Sequence, residues 1–86
     1  MSGKGHVGHS EEEAEYVRRM AARLRKVKHE KGLTNGTMAR RLGVTENTVQ
    51  SWTTAKGKPI APGACNLARI CTAYHVDPAW LLGLKG

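Results

Sequence analysis

The 86-residue chain has no phenylalanine, only two tryptophans and two tyrosines, two cysteines and three prolines. A core without Phe must be assembled from Leu, Val, Ile, Met and Ala, and such material suits helices. Apolar runs are only a few residues long, far short of the ~20 needed to span a bilayer. The opening MSGKGHVGHSEEE has no apolar stretch able to serve as a signal peptide, so a cytoplasmic location without membrane partners is expected. Cys65 and Cys71 stand six positions apart in a helical pattern. That separation rotates them by about 600° at 3.6 residues per turn, onto different sides of the helix, and reduced thiols are expected rather than an internal disulfide.

Acidic side chains are also scarce: seven Asp and Glu face fourteen Lys and Arg, a formal charge of +7. A chain of this length builds one modest core, and so large a surplus on one small domain favours nucleic acid, or less often an anionic membrane surface. Catalytic constellations are missing. There are no paired carboxylates in a plausible cleft, no phosphate-cradling glycine loop and no Ser-His-Asp or Cys-His arrangement on a fixed scaffold. Cys71 and His75 lie four apart, but a core cysteine beside a surface histidine explains them. No enzymatic activity, cofactor or metal is expected; His6 and His9 lack the neighbouring Cys or carboxylates of a metal site.

What is present is helical periodicity. Residues 1–9 hold three glycines and only Val7 to bury, and read as a flexible tail whose Lys4, His6 and His9 are available to a phosphate or a minor groove. Residues 10–86 read as the folded domain. Ser10 with Glu13 forms a capping-box pattern; Glu11, Glu12, Glu13 and Glu15 suit the positive end of the helix that follows, and Arg23, Arg25, Lys26, Lys28 and Lys31 its negative end. Val17, Met20, Ala21, Leu24 and Val27 repeat at spacings of three and four, predicting an amphipathic helix to about Glu30, ended by Gly32. Thr34 or Asn35 caps a second helix with Met38, Ala39 and Leu42 inward and Arg40 and Arg41 outward. Gly43 closes it, and Val44 anchors the turn.

Thr45 is the expected N-cap of a third helix with Val49 and Trp52 facing inward. Its outer face is then Glu46, Asn47, Thr48, Gln50 and Ser51, continuing to Thr53 or Thr54, mostly short polar groups that both donate and accept. On one helix alone this is equally a solvated surface or a face that reads base edges in the major groove, where Asn and Gln pair bidentately with adenine. The segment AKGKPIAPG, Ala55 to Gly63, is a loop whose Lys56 and Lys58 reach toward flanking phosphates. A fourth helix carries Ala64, Leu67, Ala68, Ile70, Cys71 and Tyr74, with Val76 inward in the next turn. Asp77 and Pro78 start a short fifth helix with Trp80, Leu81, Leu82 and Leu84 clustered on it.

The segment LTNGTMARRLGVTENTVQSW, Leu33 to Trp52, resembles the helix-turn-helix of the phage repressor and Cro-type (XRE-like) family. The likeness extends back through LRKVKHEKG and forward to DPAWLLG, covering about residues 17 to 84. Small Ala39, Gly43, Val44, Val49 and Trp52 occur together in the register that holds the third helix at a fixed angle, letting its N-terminal end enter the major groove. The resemblance implies an all-α, compact five-helix repressor-like domain with its helix-turn-helix at about residues 35–54. It also implies base contacts from Glu46, Asn47, Gln50 and Ser51 and backbone contacts from Asn35, Arg40, Arg41, Thr45, Thr48, Lys56 and Lys58. Two departures stand out. Many relatives carry Gln where Asn35 stands, and many follow the Trp52 position with an acidic residue and then a glycine, where this chain has Thr53-Thr54-Ala55-Lys56-Gly57.

The expected function is sequence-specific binding of double-stranded DNA in transcription regulation, most simply repression by a homodimer on an inverted repeat. Trp80, Leu81, Leu82 and Leu84 supply either the dimer surface or the closing end of the monomer core. The rival is an antitoxin-like or antirepressor-type module that binds a protein partner through the last helix.

Overall fold

A computed structural model describes the backbone of residues 2–85 and the side chains of residues 11–85. The protein is all-α, with α1 spanning Ser2–Glu30, α2 Asn35–Leu42, α3 Glu46–Thr53, α4 Ala64–Tyr74 and α5 Pro78–Leu81. α1 therefore begins at Ser2 and not at Ser10. Once its C-terminal half is held by tertiary packing, each added residue requires only one further hydrogen bond and no new nucleus. The capping role expected of Ser10, and the side chains of Lys4, His6 and His9, lie outside the described residues.

The stripe predicted for α1 forms one wall of the core: Met20, Ala21, Leu24 and Val27 are buried, and Val17 is half-buried at its edge. Against it pack Met38, Ala39 and Leu42 of α2, Val49 and Trp52 of α3, Ile70 and Tyr74 of α4, and Leu81 of α5. Full burial of one such Leu or Ile side chain contributes about 1.5–3 kcal/mol. Leu33, Val44, Leu67 and Cys71 fill the margins. Cys65 and Cys71 are both free thiols; burial and the nearby Asp77 carboxylate push the Cys71 thiol above its ordinary value, so it stays protonated and behaves as a small apolar filler.

Arginines close several helix ends by reaching across the fold. Arg69 Nη1 donates to the Leu42 carbonyl at the end of α2 (3.4 Å). Arg25 Nη1 donates to the Thr53 and Thr54 carbonyls at the end of α3 (3.0 and 3.1 Å). Arg41 Nη2 donates to the Ala73 carbonyl near the end of α4 (3.3 Å). The last carbonyls of a helix have no intrahelical partner and carry its negative dipole end, so guanidinium groups satisfy both needs. Part of the basic surplus counted in the sequence thus holds the helices together. No helix among the described residues is long and apolar enough to cross a membrane.

Candidate nucleic-acid interface

The pair α2–α3 is set by local chemistry at three points. Thr34 stands before α2 in extended conformation, and its hydroxyl accepts from the Thr37 N–H at 3.0 Å. Of the two residues able to cap this helix, Thr34 does so and Asn35 becomes its first residue. Gly43 ends α2 at φ 73° and ψ 33°, a left-handed conformation that costs a residue with a Cβ roughly 1–2 kcal/mol. Val44 N–H then donates to the Ala39 carbonyl at 3.0 Å, and Val44 packs against the core. Thr45 caps α3 by accepting from the Thr48 N–H at 3.1 Å.

With Val49 and Trp52 buried, α3 turns Glu46, Asn47 and Gln50 to the exterior, and all three are exposed. Ser51 differs. It is half-buried and its hydroxyl donates to the Thr48 carbonyl one turn back (2.7 Å), a local bond that Ser readily makes in helices. Its proton is engaged inside the helix, and the expected base contact is reduced to an acceptor lone pair. Thr45 and Thr48 share a hydroxyl–hydroxyl bond of 2.8 Å; this pair fixes the start of α3, and one proton of the two remains for an outside acceptor.

Asn35 is half-buried, and its Oδ1 accepts from the Lys28 ammonium of α1. Lys28, which the sequence placed only within a basic cluster, is therefore a member of the site. Burial pushes its ammonium below the ordinary lysine value. The short Asn35 side chain is held from behind, its amide N–H groups being the donors left for a phosphate. No sequence signal distinguishes Lys28 from its basic neighbours, because the contact crosses between α1 and α2.

Arg40 is exposed. Arg41 is exposed as expected, and its guanidinium lies over the Tyr74 ring, 5.5 Å from its centroid, while donating to the Ala73 carbonyl. Those two attractions hold it beside α4 and leave its other N–H donors open to solvent. The loop after α3 takes a defined course: the Thr54 hydroxyl accepts from the Lys56 N–H (3.2 Å) and donates to the Lys56 carbonyl (2.8 Å). The Ile60 N–H donates to the Ser51 carbonyl (2.8 Å), and Pro62 is buried. Lys56 and Lys58 are exposed on this loop, with Lys58 and Pro59 lining a small cleft against Glu13, Ala14, Val17 and Arg18 of α1.

The C-terminal cluster divides. Leu81 is fully buried and so belongs to the monomer core, correcting its assignment to a dimer surface: four residues of α5 cannot hold to the bundle without one side chain inserted in it. Trp80 and Leu82 are half-buried. Trp80 lies under Arg23 and Lys26, with the cations 5.0 and 5.9 Å from its ring centroid, and its carbonyl accepts from Arg23 Nη1. Only Leu84, at 69% exposure, projects fully.

Two capped helices joined by a left-handed glycine, the second carrying an exposed polar row, define a helix-turn-helix protein. The Helix-turn-helix domain family matches residues 19–81, and the chain belongs to that family, which is associated with regulators of the XRE/Cro type. No curated protein and no solved structure matches the chain. The domain accordingly has duplex DNA as its expected partner, in a regulatory role. Among the described residues, no group of three or more His, Cys, Asp and Glu side chains is placed to hold a metal ion.

Proposed function

We propose that the protein is a sequence-specific transcriptional regulator that acts in the cytoplasm as a homodimer on an inverted-repeat operator, most simply as a repressor. The observation that carries this reading is the exposed row Glu46, Asn47 and Gln50 on a helix capped by Thr45 and closed at its other end by Arg25. Asn47 and Gln50 offer bidentate pairing to adenine, and Glu46 accepts from cytosine N4. Lys28, Arg40, Lys56 and Lys58 supply the positive frame around the row, Asn35 amide N–H donors, and the Thr45–Thr48 pair one hydroxyl donor. Two subunits set about one helical turn apart, ~34 Å, place two α3 helices in successive major grooves. With Leu81 in the core, Leu84 and the open faces of Trp80 and Leu82 are what remains for subunit contact, or for the protein partner of an antitoxin-like module.

Selection of binding sites from a random duplex pool tests the proposal. The expected result is an enriched inverted repeat with half-sites one helical turn apart. Enrichment of single half-sites refutes the dimer, and no enrichment over input refutes sequence-specific binding. Replacing Asn47 with Ala should then relax discrimination at one base pair by ~1–3 kcal/mol; equal losses on selected and random duplexes would remove Asn47 from a reading role.

A further inference from the structure

Lys28 and Asn35 come from different helices, and each is fixed before it meets the other. As α1 ends, the Lys28 carbonyl accepts from the Leu33 N–H (2.8 Å), which ties the Lys28 backbone to the turn leading into α2. Its half-buried side chain then crosses to α2, and its ammonium donates to Asn35 Oδ1. Asn35 is the first residue of α2, directly after the Thr34 cap. A Cβ built on its neighbour Gly36 would stand 3.0 Å from Glu46 Oε2, so the start of α2 adjoins the start of α3 and the exposed row that begins there. Burial pushes the Lys28 ammonium below the ordinary lysine value, the mark of lost hydration, and the Asn35 oxygen replaces part of the water it has lost.

An ammonium carries donors only, whereas a carboxamide has one donor end and one acceptor end. Facing Lys28, the Asn35 amide turns its oxygen to the ammonium, and its N–H groups turn away from it. An amide without that partner samples both orientations, and one of them sets a carbonyl oxygen against a phosphate. We infer that Lys28 is a positioning residue for the DNA backbone: it holds the Asn35 amide with its N–H groups toward phosphate and acts on the phosphate through that amide. The inference rests on the DNA-binding reading above and reassigns Lys28 within it, from a free positive charge to the support of a neutral donor. Hydrogen bonds in line polarise one another, so the ammonium behind the carbonyl strengthens the N–H donors in front of it. A backbone contact of this kind fixes register beside the row and carries no sequence information itself.

The test measures binding to a random-sequence duplex and to the selected operator for wild type, Lys28→Met, Asn35→Ala and the double variant, with thermal melts to show that each is folded. Lys28→Met keeps the stem and removes the donor. It should weaken both duplexes alike, by about ten-fold per subunit, the low end for a hydrogen bond to a charged group. Asn35→Ala should lose a similar factor, and the double variant no more than about two-fold beyond either, because the two residues act through one contact. Lys28→Arg, still a donor-only cation, should recover most of the loss. The side-chain amide N–H signals of Asn35 give a readout that packing alone does not move: on addition of duplex they should shift in wild type and not in Lys28→Met. Losses that multiply in the double variant, amide signals that shift equally in Lys28→Met, or undiminished binding by Lys28→Met each overturn the inference while leaving DNA binding intact. Failure of wild type to bind any duplex sinks the DNA-binding reading, and the inference with it.

Discussion

α3 and α5 begin alike and end in opposite roles. Each opens on a side-chain cap, Thr45 accepting from the Thr48 N–H and Asp77 from the Ala79 N–H, and each inserts an apolar residue into the same core, Val49 with Trp52 in one and Leu81 in the other. On α3 the remaining positions are polar: Glu46, Asn47 and Gln50 are exposed, Thr48 and Ser51 half-buried and Thr53 buried. On α5 they are apolar and are covered by cations from α1: Arg23 and Lys26 over the Trp80 ring, with Arg23 also donating to the Lys85 carbonyl (2.9 Å) and Arg19 Nη1 to the Gly83 carbonyl (3.4 Å). Basic residues in this molecule therefore serve two masters. Arginines of α1 and α4 mostly hold carbonyls and rings, and the lysines of the loop stand free toward solvent, so a count of positive charge overstates what is offered to a phosphate.

That division can be broken most decisively at Leu81. Leu81→Ala should lower stability by about 2–5 kcal/mol, the range for emptying a fully buried leucine site, and thermal melts should show the loss at every protein concentration. A loss that fades as concentration rises would return Leu81 to a subunit interface. A smaller effect separates the two kinds of cation. Arg23→Ala removes hydrogen bonds to two carbonyls and a ring contact, and should destabilise the fold by about 1–2 kcal/mol without changing the salt dependence of DNA binding. Lys56→Ala should do the reverse: stability within ~0.5 kcal/mol of wild type, and a salt slope reduced by about 1. Equal salt slopes for the two variants would erase the distinction.

The least effect is expected at the cap of α5. The hydrogen bond from Lys85 Nζ (2.7 Å), then that from the Ala79 N–H, hold the Asp77 carboxyl below its ordinary 3.8. A carboxyl with a depressed folded value binds fewer protons folded than unfolded, so its contribution is present above pH ~4 and is lost as pH falls through the lowered value. Trp80 fluorescence followed by acid titration should report loosening of α5 in that acid range in wild type and not in Asp77→Asn. An identical titration of the two proteins would show that the cap does not couple to Trp80.

Features written in adjacent residues were legible from the sequence. Thr45, Gly43 and the Asp77-Pro78 start act within one turn of themselves, and the stripe Met20 to Val27 needs only the period of a helix. The choice between Thr34 and Asn35 as cap was open because both side chains accept from the same N–H groups. What could not be read are pairings across the fold: Lys28 with Asn35, Arg25 with the end of α3, Arg41 with Tyr74, and Glu46 against Gly36. Each joins elements whose relative placement is a product of the core. Leu81 shows the same limit from the apolar side, since a cluster of leucines gives no sign of which one enters the core until the bundle that receives it is formed. The extension of α1 to Ser2 ran against local composition, three glycines within nine residues, where helix propensity is poor.

The hydrogen bond from Ile60 to Ser51 (2.8 Å) has a mechanical consequence. It ties the far end of the lysine loop to the body of α3, with Arg25 clamping the junction at Thr53 and Thr54. Under the proposed function, base reader and backbone anchor would thereby be one rigid gauge and not two independent arms. On that proposal a phosphate seated on Lys56 would fix how deep Asn47 and Gln50 stand in the groove, and lengthening the loop between Lys56 and Ile60 would be felt as a shift of register along the DNA before it was felt as a loss of charge.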